Sequence, residues 1–204
     1  MPRPRHRAAV WALSVAAALT AGACGSSNSN SSSTNSSGSN AGALSAEAKS
    51  AATGDIPDNQ VFLVLHNRAA GYSMKYPEGW TQIGSGRDVK FQDKNNIVHV
   101  VAGSGHPATV QQASADLTRL KRSNPSLVVV MAPKRVTIKG NAVIQSRYST
   151  RSAPNPVTGK RVTLLVDRYQ VAGPGKAAIV DLGTPKGVDN VDAYRLMIES
   201  FKWS

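Results

Sequence analysis

The chain has a single cysteine, Cys24. One sulfur makes no intramolecular disulfide and no thiolate metal site, so the fold has to stand on packing alone. Aromatic residues are only 5% of its 204 residues, and Val, Ile, Leu and Ala supply most of the apolar content. No apolar stretch is long enough to cross a membrane as a helix. The longest, AAVWALSVAAALT at 8–20, has thirteen residues, where about 20 are needed. Acidic residues are scarce as well: 12 stand against 24 basic ones, a net charge of +12. No internal repeat is visible.

What is present begins with a leader. Residues 1–7 carry Arg3, Arg5 and Arg7, the apolar run follows, and the small residues Ala21, Gly22 and Ala23 precede Cys24. Charged, apolar and small-residue regions in that order make a secretory signal peptide. The segment resembles the lipobox of type II signal peptides, in which a peptidase cuts before a cysteine carrying diacylglycerol. Ala21 departs from that motif, which prefers Leu there. An ordinary Ala-x-Ala signal peptide, cut near Ala23, is the alternative. Lipidation of Cys24 is the expected outcome, because the sole cysteine falls at the cleavage point. Two or more acyl chains hold firmly where one is marginal, each buried CH₂ contributing about 0.8 kcal/mol.

Cleavage removes three arginines and no acid. The mature chain keeps 21 basic against 12 acidic residues, a net charge of +9. Such a surface favours anionic neighbours, namely lipid headgroups, wall polymers or acidic proteins. Export sets nucleic acid aside.

Residues 25–40 (GSSNSNSSSTNSSGSN) hold nothing to bury and are expected to be disordered. Up to Gln60 the chain has room for a frayed helical turn or two, stopped by Gly54, Pro57 and Asp58. As a coil of about 36 residues, this tether spans roughly 30–36 Å. The expected organisation is signal peptide 1–23, lipidated cysteine and tether 24–60, and one domain over 61–204.

Within the domain, VFLVL at 61–65 reads as a buried strand, and YSMKY at 72–76 alternates as a half-buried one. Trp80 is expected to pack back after a turn. Strands at 89–93 and 97–101 flank a hairpin at Lys94, Asn95 and Asn96. Thr109 with Gln112 predicts a capping box opening a helix whose face is Val110, Ala113, Leu117 and Leu120. Lys121 and Arg122 suit its negative end, and Asn124 with Pro125 stops it. Strand patterns resume at 127–131, 135–138, 142–149, 162–171 and 176–182. Turns are expected at 155–159 and 173–175. A closing helix from near Asp189 buries Val191, Tyr194, Ile198 and Phe201. The pattern is that of an α+β fold, an antiparallel sheet flanked by helices.

Two short motifs carry a resemblance. GYSMKYPEGW at 71–80 resembles the Y-x-(I/M)-x-Y-P-x-G-W motif of PsbP-like domains, and IESFKW at 198–203 resembles that family's closing S-F-x-(W/F). A lipoprotein with a linker and one such domain is similar to the LpqN-type lipoproteins of actinobacteria. The resemblance covers residues 60–204 and implies an α/β/α sandwich around an antiparallel sheet. It also implies a non-enzymatic accessory role exercised through protein contacts. Photosystem binding, the role of the chloroplast namesake, is not implied, since nothing in this sequence points to photosynthesis.

No catalytic constellation or cofactor motif stands out. His66, His99 and His106 sit singly, without metal-ligand spacing. The run Gly103, Ser104, Gly105, His106 is not G-x-S-x-G and reads as a turn after a strand. Gly84 to Gly86 and Gly173 to Gly175 read as turns too. The basic residues are more suggestive. Lys134, Arg135, Lys139, Arg147, Arg151, Lys160, Arg161 and Arg168 crowd the second half, with Asp167 the one acid among them. A cationic face meeting anionic lipid or wall polymer would be built from Arg147, Arg151, Lys160, Arg161 and Arg168; a merely solvated surface is the alternative. The leading expectation is a membrane-anchored accessory lipoprotein of the cell envelope that binds another envelope protein, without enzyme activity, metal or cofactor. The second is a binding module for an anionic ligand. A hydrolase has no positive feature.

Overall fold

The computed structural model describes residues 54–155 and 157–204. The expected signal peptide, Cys24 and most of the tether lie outside the described residues. The strands are β1 (Phe62–Asn67), β2 (Tyr72–Pro77), β3 (Thr81–Ser85), β4 (Asp88–Asp93) and β5 (Asn96–Ser104), followed by helix α1 (Val110–Ser123). Then come β6 (Val128–Ile138), β7 (Asn141–Arg151), β8 (Thr163–Gly173), β9 (Lys176–Pro185), helix α2 (Val191–Ser200) and β10 (Lys202–Trp203).

Among the described residues all strand pairing is antiparallel, and there are two sheets. Seven strands run in the order β3-β4-β5-β9-β8-β7-β6; three more form β1-β2-β10. The large sheet is built from hairpins whose turns obey local chemistry. Lys139 and Gly140, both at positive φ, join β6 to β7, the backbone signs of a type I′ turn. Pro174 and Gly175 join β8 to β9, with Gly175 at φ 66°, where proline at the first central position and glycine at the second favour a type II turn.

The large sheet separates two cores. On one face, Val89, Phe91, Val98, Val100, Val180 and Leu182 pack against Tyr72 and Met74 of the small sheet and Tyr194, Met197 and Ile198 of α2. On the other, Leu117 of α1 packs with Leu127, Tyr148, Leu164 and Val166. The layers make an α+β fold of the expected class, PsbP-like, with the small sheet as an addition that periodicity did not reveal.

Helix α1 forms as its sequence predicts. The Thr109 hydroxyl accepts from the Gln112 N–H at 3.1 Å, while the Gln112 side chain accepts from the Thr109 N–H at 2.8 Å. Such a cap contributes about 1 kcal/mol. Lys121 and Arg122 occupy the last turn and Asn124 caps it.

The two motifs of the PsbP-like resemblance meet in space. Trp203 and Lys202 pair with Tyr72 and Ser73. Tyr72 stacks on Phe201 at 5.3 Å, and Trp203 stands edge-on to both rings. The Ser200 hydroxyl accepts from the Lys75 N–H at 2.8 Å. A Cβ on Gly173 would lie 2.5 Å from Trp203 Cδ1, so the closing indole rests where only glycine leaves room. Trp80 packs into the same core.

Several expectations change. Strand β1 is no buried strand: Leu63 and Val64 are exposed and Phe62 and Leu65 half-buried, because β1 is the edge of the small sheet. Runs 127–131 and 135–138 are one strand with register shifts around Met131. Gly103 and Ser104 extend β5, paired with Ala177 and Lys176, rather than turning. Val191 is exposed, while Met197, which was not expected in the core, is fully buried. Residues 81–83, to which the sequence assigned no element, form β3 together with Gly84 and Ser85, which were expected in a turn. Packing also begins before Val61. The Ile56 N–H donates to the Asn190 side-chain oxygen at 2.8 Å, and the Gly54 carbonyl accepts from both Asn96 and Asn190. Ile56 itself is buried.

Candidate functional site: binding surfaces

The five basic residues singled out from sequence separate into two groups. Arg147 and Arg168 lie on neighbouring strands but point to opposite faces of the large sheet, since Arg147 pairs with Asp167 and Ser146 with Arg168. Arg147 donates twice to Asp167, at 2.8 and 2.9 Å, and these bonds raise its pKa above the ordinary value. Arg168 donates twice to Asp181, at 2.8 and 2.7 Å. The side chains of that pair are only 11% and 10% exposed. Burial pulls the Arg168 guanidinium down while the Asp181 carboxylate pushes it up, and the net shift is upward. Arg168 also lies 5.6 Å from the centre of the Tyr148 ring. Its valences are spent inside the fold, so it is no part of a cationic surface.

Arg151, Lys160 and Arg161 are exposed. They lie where β7 ends and β8 begins, because the loop between those strands folds back on itself. Ser152 bonds Val162, Asn155 bonds Lys160, and the Arg161 guanidinium donates to the Ser152 carbonyl at 2.8 Å. These three are the part of the expected basic face that remains available.

The histidines do not converge. His99 on β5 bonds Asp88 on β4 at 2.7 Å, and His66 and His106 are exposed on other elements. Among the described residues no group of three or more His, Cys, Asp or Glu side chains is placed to hold a metal ion. Ser104 pairs with Lys176, not with a histidine.

A cleft of about 640 Å³ lies on the face of the large sheet that carries Tyr148, Leu164 and Val166. Ile97, Leu164 and Val166 make its apolar floor, and Lys90, His99 and Tyr148 contribute polar groups. Tyr148 holds its proton to unusually high pH, first because it is buried and then because Asp181 is near. On the α2 face a second cleft, of about 440 Å³, contains Arg147, Asp167 and Tyr169. Burial and then the Asp167 charge push Tyr169 up to about 12. Sequence reading missed both clefts, since their residues come from strands far apart in the chain.

Adjacent exposed apolar side chains mark β6, the terminal strand of the large sheet among the described residues. Val128, Val129 and Val130 are 58%, 43% and 56% exposed. The opposite edge, β3, is five residues long, and Ile83 is its one large apolar side chain. The β6 valines sit in a stretch without a single acid: residues 117–166 contain ten Lys and Arg and no Asp or Glu.

No family model matches the chain, and no curated protein matches its sequence. Solved structures do resemble it. A protein from Bacteroides thetaiotaomicron matches with a TM-score of 0.46 at 15% identity, covering 69% of this chain. The chain spans about half, 48%, of that protein's length. LpqN of Mycobacterium tuberculosis, described as involved in cell envelope biogenesis, matches with a TM-score of 0.41 at 16% identity, over 71% of this chain and 91% of LpqN. The cyanobacterial PsbP of Synechocystis matches with a TM-score of 0.50 at 16% identity, over 74% of this chain and 98% of that protein. The fold of this chain is therefore that of PsbP.

Proposed function

We propose that this chain is a cell-envelope lipoprotein, held on the extracytoplasmic face of a membrane by acyl chains on Cys24. Its domain serves a non-enzymatic accessory role by binding another envelope protein. The exposed valine edge of β6 carries the binding half of this reading. Adjacent exposed large apolar residues at a strand edge mark protein interaction sites more often than open solvent surface. The leader and its cysteine support the anchor. The LpqN likeness is too distant to add weight.

Photo-cross-linking in intact cells tests both halves, from a photoreactive residue at Val129 and, as a control, at Gln82 on the opposite edge. An envelope protein captured from Val129 and not from Gln82 is the expected result. Cys24→Ala is expected to release the protein into the medium; a variant still retained on the membrane refutes the anchor. Lipid or wall polymer captured without protein favours the second reading, an anionic ligand held by the exposed cations Arg151, Lys160 and Arg161. That binding would weaken with salt and on reversal of these three charges.

A further inference from the structure

We infer that the partner contributes an extended, acidic segment that adds as an eighth strand to the outer edge of β6. This rests on the accessory reading above and names the chemistry of what is bound.

Strand β6 has eleven residues, and among the described residues no strand pairs with its outer side. Such an edge presents unpaired N–H and C=O groups that template another strand. Proteins blunt exposed edges with bulges, proline and lysine, and β6 has these devices in one place. The register shifts fall between Val129 and Met131 and between Met131 and Lys134; Pro133 lies within the second, and Lys134 and Arg135 follow it. Val128 and Val129 precede these devices, and Val130 lies at the first shift. Val128 and Val129 leave about 7 Å of regular apolar edge, at roughly 3.3 Å per residue. The other edge, β3, is simply short.

Charge selects the occupant. Lys134 and Arg135 lie farther along β6, and both are exposed. Lys121 and Arg122 end α1, which packs on β6. Arg151 lies two residues beyond Ser149, the residue opposite Val128. With no acid between 117 and 166, an incoming strand passes among cations and is favoured if it carries carboxylates. A second copy of this chain would set the same cations against one another, and like charges disfavour that pairing.

Three ten-residue peptides probe the full chain: one alternating Val and Glu, one with Lys in place of Glu, and one with two central Val replaced by Pro. The Val/Glu peptide is expected to bind and to slow amide exchange at Val128, Val129 and Val130. Binding should weaken with salt, and by roughly five- to tenfold on Lys134→Glu with Arg135→Glu. Equal binding of the Pro peptide overturns strand addition, and equal binding of the Lys peptide overturns the acidic requirement. Cross-linking of Val129 to another copy of this chain overturns the choice of occupant. In cells, Val130→Asp, checked for an unchanged melting temperature, separates the two readings. Partner capture lost with this variant supports the inference. Undiminished capture, followed from a photoreactive residue away from β6, overturns it and leaves the accessory reading standing.

Discussion

Arg168 and Asp181 are the buried charges with the greatest leverage on stability. Each answers the other through two hydrogen bonds, and Tyr148 closes over them. Removing one partner leaves a charge in a medium that cannot solvate it. Arg168→Leu is therefore expected to cost about 3–5 kcal/mol, while Arg168→Leu with Asp181→Leu costs less than the single change. Arg151→Ala, at an exposed site, is expected to stay within about 0.5 kcal/mol of wild type. Urea unfolding of the four proteins measures the set; an Arg168→Leu variant as stable as wild type would contradict the buried pair. This contrast also corrects the basic face, since two of its five members are committed to the fold. Sequence proximity grouped them, and strand pairing with Asp167 and Asp181 divided them.

Among the elements, the segment before β1 shows where the fold begins. Gly54 and Ile56 form a strap: their backbone groups bond to Asn96 and Asn190, and Ile56 fills a place in the core. A chain starting at Gly54 is expected to melt with the full chain. One starting at Val61 loses an apolar side chain from the core and uncovers the amides of Asn96 and Asn190, at a cost of about 3 kcal/mol. Thermal melts of the two truncations decide this, and identical melting temperatures would return the strap to the tether. Composition could not reveal the strap, because an isoleucine between glycine and proline is indistinguishable from linker until its partners, more than forty residues away and more than 130 residues away, are in place. Helix α1 is the opposite case. Its cap, its buried face and its stop are all local, and all were legible in the sequence.

For the molecule as a whole, the phenols set an alkaline limit. Burial raises Tyr72, Tyr148, Tyr169 and Tyr194 above the ordinary tyrosine value near 10, with Tyr169 at about 12. The folded state holds these protons after the unfolded chain would release them. Their contribution is complete below pH 10 and is lost as pH rises from about 10 through 12. The melting temperature should fall across that window, and the tyrosinate absorbance of these four phenols should rise together with unfolding. Half-maximal tyrosinate absorbance from these four phenols at pH 10, in a protein still folded, would contradict their burial. The same two-sided packing that buries them consumes most of the apolar surface, so the exposed valines of β6 stand out against it.

Local chemistry by itself determined a good deal: the capped helix α1, several hairpin turns and the antiparallel α+β class. Each follows from interactions within a few residues, which is the range over which sequence acts directly. The PsbP-like motifs were legible too, yet only the tertiary structure explains them, by stacking Tyr72 on Phe201 and seating Trp203 on Gly173. Long-range pairing alone decided that a second sheet splits off, that Arg147 and Arg168 are occupied, and that β6 lies at an edge with its valines bare. Strand order depends on which distant segments meet, and periodicity within one strand carries no record of its neighbours.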